Sequence, residues 1–517
     1  MGAATSPVNF PDRTITRQET GPEGQLAFDR LLLVVVFILI FAMAARTPLD
    51  TDMWWHLSAG DEMLRSGRIL LTDVFSFTRA GAGWTNPYWL SQVGMALLYR
   101  WQGALALSGA VAVIAVLSMI LVSLQCQGPG LLKAAGLLLG SIVASVVWSP
   151  RPQVVSLALM ALVGYLLYLY KWRGRDVLWA LPLTFVLWSN NHGGYPLGLI
   201  LIGLILAGEV LNHLLKIPSP VVLPGRKMIR LALWGAACGI AVLVNPNGLR
   251  MWWLPFQTVE MQVLQQFIPE WASPDFHSLI QQSLLWLLLA CCAAIALSGR
   301  IVDGSDLLIL LAFAGMALLA RRNYGPFALV AIPIFTRYGA AALSSWQERA
   351  PWLGKLLARA GSPGPESRRS AALKRTVNLA IASLLWFFAL GKLYVVSHPL
   401  LVEHYIASGY PAQAVDWLKQ NRPAERVLNE YNWGGFLQWD LRGFPIFVDG
   451  RTDLFNDEIV GQWITAVQAG EGWQDILDRY QVNLVMLQPD RPVLAVLPQA
   501  GWRLLYRDPQ AVIYGRK

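Results

Sequence analysis

Apolar residues in this chain come in long blocks, and polar residues gather in the gaps between them. Eleven blocks approach the length of a membrane-crossing helix: 31–45, 104–124, 131–148, 154–170, 177–189, 196–215, 230–244, 280–298, 306–320, 324–343 and 376–396. A crossing helix asks for about 20 apolar residues, and several blocks fall short of that. A short block either runs on through polar neighbours or lines a cavity, where a broken helix is tolerated. Residues 46–102 form a long, half-apolar stretch between the first two blocks. Near its end Leu90, Val93, Gly94, Leu97, Leu98 and Trp101 recur at helical spacing, with Ser91, Gln92 and Arg100 between them. That spacing predicts an amphipathic helix along the interface rather than a twelfth crossing.

Beyond about residue 400 the pattern becomes that of a water-soluble fold. Residues 411–421 read as a helix, and 426–429, 446–448 and 483–487 as short buried strands. Helical patterns near 434–441, 456–469 and 472–480 separate them, and 502–507 with 511–514 read as a closing hairpin across Asp508-Pro509. The expected architecture is an α-helical multi-pass membrane protein of about eleven transmembrane helices with a C-terminal extracytoplasmic α/β domain. Its parts are a cytoplasmic tail (1–30), a transmembrane region (31–397) and an outer domain (398–517). The transmembrane region includes a first outer loop at 46–102 and a basic cytoplasmic loop at 344–375, the latter a flexible connector built on Gly361-Ser362-Pro363-Gly364-Pro365.

Composition agrees: of 517 residues 55% are hydrophobic and only 14% charged, against roughly 25% charged in ordinary soluble domains. The net charge of +9 raises a nucleic-acid reading. The basic residues are strung between apolar blocks, however, and membrane topology accounts for them without nucleic acid. With a cytoplasmic N-terminus, the inner loops carry Lys133, Lys171, Arg173, Arg175, Lys216, Arg226, Lys227, Arg300 and the run from Arg349 to Arg375. Every lysine between Leu49 and Arg375 falls on that side, which places the first loop and everything after 397 outside. The acidic residues before the first block and the lack of a cleavage pattern after it read as a retained signal anchor. Four cysteines show neither CxxC pairing nor zinc spacing.

The candidate chemistry begins at Asp50-Thr51-Asp52-Met53-Trp54-Trp55-His56, where the chain leaves the first block. One reading is a pair of acids held over a lipid-borne substrate; the other is a solvated loop with an aromatic interface anchor. The outer turns also carry polar residues: Arg151 after Ser149-Pro150, His192 in Asn190-Asn191-His192-Gly193-Gly194, Glu270 in Pro269-Glu270-Trp271, and Arg321-Arg322-Asn323. His192 reads equally as a ligand or as a packing residue. The inner loops look like plain basic connectors. Arg151, Arg250, Arg321 and Arg322 oppose the positive-inside trend and suit a phosphate, Arg321 and Arg322 first, because a guanidinium grips phosphate with two bonds. The alternative is structural pairing with Glu270, Asp50 or Asp52. In the outer domain, Tyr431-Asn432-Trp433-Gly434-Gly435 and Asp449-Gly450-Arg451-Thr452-Asp453 follow strands, so both turns emerge at one sheet edge, where ligands of α/β folds bind.

The order of these pieces resembles the GT-C superfamily of integral-membrane glycosyltransferases, which includes protein O-mannosyltransferases and oligosaccharyltransferase catalytic subunits. Asp50-Thr51-Asp52-Met53-Trp54-Trp55-His56-Leu57 and Thr72-Asp73-Val74-Phe75-Ser76-Phe77-Thr78 look like a pattern of bacterial members, as do Asn432-Trp433-Gly434-Gly435 and Val448-Asp449-Gly450-Arg451. The Trp433 turn also sits where oligosaccharyltransferases carry a Trp-Trp-Asp-Tyr-Gly signature, whose Asp this chain lacks. The resemblance implies a sugar moved, with inversion, from a polyprenyl phosphate or pyrophosphate to an acceptor hydroxyl or amide at the outer face of the bacterial inner membrane. The acceptor is a protein, lipid or glycan. Asp50 or Asp52 would be the general base, and His56, Arg151, His192, Glu270, Arg321, Arg322, Trp433, Asp449 and Arg451 would hold substrate. A divalent cation (Mg or Mn) on Asp50, Asp52 or His56 is a further expectation. Two other classes compete. A lipid-glycan flippase calls for internal repeats and mid-membrane charges, which the sequence does not show, and a non-catalytic envelope scaffold calls for no site.

Overall fold

The computed structural model describes residues 23–218, 221–349, 368–421 and 426–516. The polar tail before residue 23 and the Gly361–Pro365 connector lie outside the described residues. Each of the eleven apolar blocks is a helix: α1 (Glu23–Ala44), the second part of α3 (Trp89–Ser123), α4 (Gly130–Ala144), α5 (Gln153–Arg173), α6 (Ala180–Asn191), α7 (Pro196–Leu214), α8 (Gly225–Ala241), α11 (Leu279–Leu297), α12 (Gly304–Leu319), α13 (Tyr324–Arg349) and α14 (Arg368–Val396). Among the described residues, seven helices are long and apolar enough to cross a membrane. The shorter ones pack into the same bundle, α6 on α8 and α12 on α7 and α13.

Residues 46–102 form α2 (Thr51–Ser66), an irregular segment, and the first part of α3. Asp50 starts α2 as its N-cap, its Oδ1 accepting from the Asp52 amide at 2.9 Å. Gly67, at φ 66°, ends the helix in the left-handed conformation that favours glycine. The helix predicted near residues 90–101 is present and breaks from the rest of α3 at Gln102 and Gly103. Its buried face is mixed: Ser91 donates to Asn191, Gln92 is bonded to Asn86 and His56, and Met95 and Ala96 are buried, while Leu97 and Trp101 are exposed.

After α14 come α15 (Pro399–Gly409), α16 (Ala412–Asn421), β1 (Val427–Asn429), α17 (Gly434–Asp440), α18 (Thr452–Val467), α19 (Trp473–Arg479), β2 (Leu484–Leu487), α20 (Val493–Val496), β3 (Trp502–Arg507) and β4 (Val512–Arg516). The sheet order is β1-β2-β4-β3; β1 and β2 are parallel, and the β3–β4 hairpin is as expected. The strand expected at 446–448 reduces to single bridges at Ile446. Its place in the ladder is taken by the Asn429 side chain, which accepts from the Phe447 amide and donates to the Val448 carbonyl.

Ile446 also bridges Ser76, so the first loop extends the edge of the C-terminal sheet. Beneath that seam the Arg451 guanidinium meets Asp449 at 2.7 Å and Asp73 at 2.6 Å, with all three side chains at most 1% exposed. Asp73 further accepts from the Ser76 amide and hydroxyl. Trp54 and Trp55 are not interface anchors but are buried, Trp54 among Tyr410, Phe436 and Trp439.

The opposite end of the bundle departs from the expected plain connectors. Lys171 is buried against Glu209 and Asp303, and Arg337 against Asp306. The sequence pattern hides these pairs because the acids lie inside or beside apolar blocks.

Breaking one partner of a buried pair leaves a charge uncompensated, at about 3–5 kcal/mol. Asp73→Ala is therefore expected to lower the thermal unfolding midpoint in detergent and to expose the region after residue 398 to protease. An unchanged midpoint contradicts the structural weight given to this seam.

Candidate active site

Where the bundle, the first loop and the C-terminal domain meet there is a cavity of about 380 Å³. Its lining includes Asp52, Trp55 and His56 of α2, Tyr88, Arg151, His192, Glu270 and Trp271, Arg322, and Tyr431, Gly450, Thr452 and Asp453 of the domain. The helix α9 (Arg250–Glu260) and the short α10 (Gln262–Phe267) close one side with Thr258, Met261 and Leu264. The opposite face of α9 carries Trp253, Phe256 and Val259, each more than half exposed.

The two acids have different surroundings. Asp50 caps α2 and receives Arg151 Nε at 2.5 Å, and it does not line the cavity. Asp52 lies on the cavity wall, with Oδ1 accepting from Trp55 Nε1 at 3.1 Å and Oδ2 3.1 Å from Arg151 Nη1. Gly450 presses against it: a Cβ at that position would lie 2.0 Å from Asp52 Oδ1. Burial, reinforced by Asp50 and Glu270 and opposed by Arg151, raises the Asp52 pKa to about 7. Asp453, which receives Trp84 Nε1 at 3.2 Å, is raised by burial to about 6.

The cations differ as well. Arg151 is held by Asp50, Asp52 and Glu270 together. Burial works against its charge, but the three carboxylates overcome that and hold its pKa well above the ordinary value. Arg322 stacks over Trp271 at 4.3 Å, and among the described residues no carboxylate pairs with it. Its neighbour Arg321 does not line the cavity, and its Nε has no hydrogen-bond partner.

The two histidines are neutral. The Gly194 amide donates to His192 Nδ1 at 2.9 Å, which leaves the ring proton on Nε2. Burial lowers the His192 pKa to about 3, with Arg322 adding to the effect. His56 is likewise lowered by burial, lies against Trp55, and meets Gln92 through Nδ1.

The residues expected to bind substrate thus divide. Asp52, His56, Arg151, His192, Glu270 and Arg322 converge on one cavity. Arg321, Trp433, Asp449 and Arg451 do not: Trp433 is buried in the domain core, and Asp449 and Arg451 are sealed in the seam. Arg250, a candidate phosphate contact, also lies outside the lining. The donors expected for a divalent cation do not assemble, because Asp50 and Asp52 are engaged by Arg151 and His56 faces Gln92. Among the described residues, no three His, Cys, Asp or Glu side chains are placed to hold a metal. Sequence reasoning missed Tyr88, while Tyr431, Trp271 and Asp453 stood within motifs already noted without being singled out as site residues.

An acid whose folded pKa lies above its unfolded value binds protons more tightly in the native state, so it favours folding as pH falls from about 7 towards 4 and opposes it above about 7. Asp52→Asn removes this dependence. The unfolding midpoint of the variant is expected to gain on the wild type between about pH 4 and pH 7 and to hold a level difference above that. A pH-independent difference contradicts the assignment, and Asp453 cancels in the comparison because both proteins retain it.

Neither a family model nor a curated protein sequence matches this chain. Solved structures do. The oligosaccharyltransferase of Archaeoglobus fulgidus in its apo form aligns with a TM-score of 0.54 at 13% identity, over 94% of this chain and 74% of that one. ArnT from Cupriavidus metallidurans, bound to undecaprenyl phosphate, aligns at 0.49 and 17% identity over 96% and 98% of the two chains. The mycobacterial arabinofuranosyltransferase AftD aligns at 0.44 and 14% identity over 94% of this chain and 40% of that one. By its likeness to the oligosaccharyltransferase, the chain shares the fold of that protein.

Proposed function

We propose that this protein is a membrane glycosyltransferase that transfers a sugar from a polyprenyl-phosphate-linked donor to an acceptor hydroxyl at the outer face of the cytoplasmic membrane. One observation carries the reading: a carboxylate that titrates near neutrality and a guanidinium with no carboxylate partner face the same cavity. The solved likenesses supply the class. The fold is that of an oligosaccharyltransferase, and ArnT is a protein crystallised with undecaprenyl phosphate.

In this mechanism Asp52 removes the proton from the acceptor hydroxyl as its oxygen attacks the anomeric carbon. The bond from that carbon to the phosphate oxygen breaks on the opposite face, so configuration inverts. Asp52 holds the proton, and the lipid phosphate leaves with the electron pair. Arg322 meets the phosphate, with His192 Nε2–H as a neutral donor beside it. Arg151, saturated by three acids, positions Asp52 rather than the phosphate. The apolar side chains of Met261, Leu264 and Ile268 receive the first isoprene units, and the exposed face of α9 lies in the interface.

The reading is tested on purified protein with polyprenyl-phosphate-linked sugars, by following release of free polyprenyl phosphate by mass spectrometry. Asp52→Asn is expected to reduce turnover by at least about 100-fold, with donor binding retained. Arg322→Gln is expected to weaken binding of undecaprenyl phosphate by about 10- to 100-fold, the loss of one charge-assisted contact. Wild-type turnover should rise with pH through about 7 and level off. Full turnover in the Asp52 variant removes Asp52 as the base; no turnover in the wild type returns the protein to the scaffold class, and lipid movement without sugar transfer favours the flippase.

A further inference from the structure

A second cavity, of about 110 Å³, lies in the cleft between the C-terminal half of α2 and the segment from α17 to Pro445. It is lined by Asp61, Glu62 and Arg65 on one side and by Gln438, Trp439 and Arg442 on the other. Asp52 and Asp61 are nine residues apart on α2, about 14 Å at the helical rise, so this cavity is separate from the reaction centre. None of the expected site residues belongs to it.

Its chemistry is specific. Gln438 is 5% exposed. Its Nε2 donates to Asp449, a carboxylate that can only accept, so the amide orientation is fixed and Oε1 faces the other way. That oxygen is buried and has no hydrogen-bond donor. Most buried polar atoms find a partner, so an orphaned acceptor on a residue that lines the cavity leaves a hydrogen bond for a ligand donor to make. The rim is charge-balanced. Asp61 is held by Arg100 at 2.5 Å and Arg442 at 2.8 Å, Glu62 lies 3.4 Å from Arg65, and Arg442 packs over the Trp439 ring at 5.2 Å. A phosphate would meet Asp61 and Glu62, and a cation would meet Arg65 and Arg442. A neutral polyhydroxyl compound suits all of them: hydroxyls donate to Gln438 Oε1 and Glu62 and accept from the arginines, and carbon-bound hydrogens rest on the indole.

We propose that this cleft is a saccharide-binding site, which takes a sugar unit of a glycan acceptor or product while the reacting end lies at Asp52. The link to the acceptor rests on the glycosyltransferase reading, but sugar binding itself does not. The site is coupled to the seam, because Gln438 donates to the same Asp449 that anchors Arg451.

The test is saturation-transfer NMR on the full-length protein in detergent, with the methyl glycosides of a hexose, an N-acetylhexosamine and a pentose as probes. At least one is expected to bind at millimolar concentration. Val74→Trp, at the 56%-exposed mouth of the cavity, and Glu62→Ala should each weaken that binding at least tenfold. Asp52→Asn should leave it unchanged. Gln438→Met should abolish it, and the variants at exposed Val74 and half-buried Glu62 settle the matter if the Gln438 variant does not fold. Binding by none of the probes overturns the proposal, as does binding that responds only to Asp52→Asn. Sugar binding that survives in a protein without transferase activity would instead count against the proposed function alone.

Discussion

The structure depends on one guanidinium shared by three carboxylates. Arg151 comes from the tight link between α4 and α5, Asp50 and Asp52 from the start of α2, and Glu270 from the turn after α10. A charge this enclosed persists only because its partners surround it. The pairing therefore ties the helical bundle to two long loops and fixes where α2 begins. From that fixed point α2 runs outward beneath the C-terminal domain, and the Arg451 seam holds the domain down on it.

The same arrangement creates the chemical asymmetry. Three acids around one cation leave negative charge in excess, and together with burial this keeps the proton on Asp52 to about pH 7. Across the cavity Arg322 has an aromatic face and a backbone bond to the Glu270 turn, but no carboxylate. The site thus sets an acid that titrates near neutrality and a guanidinium without a carboxylate pair on one cavity. That is the polarity a group transfer needs if a proton is taken at one end and a phosphate released at the other.

The helical bundle was legible in the sequence because apolar blocks of this length have few other uses. The strand at 446–448 was not, since its backbone partner is the side chain of Asn429 rather than a neighbouring strand. The Trp pair misled for a related reason: an aromatic beside a crossing reads as an interface anchor until the domain that buries it, some 380 residues later, is in place. At the site, residue type was readable and direction was not. Arg321 and Arg322 are indistinguishable in sequence, yet only the second faces the cavity. In the 449–453 turn, Gly450, Thr452 and Asp453 line the cavity while Asp449 and Arg451 are sealed behind it. Which acids were already claimed by a cation was equally hidden, because the buried pairs at both ends of the bundle join residues roughly 30 to 130 positions apart.

The most direct test is an experimental structure of the protein with a non-hydrolysable polyprenyl-phosphate sugar bound. The account predicts the phosphate within hydrogen-bonding distance of Arg322 and His192, the lipid along α9 and α10, and the anomeric carbon turned toward Asp52. A phosphate seated on Arg321 or outside the cavity, or a sugar turned away from Asp52, would contradict it.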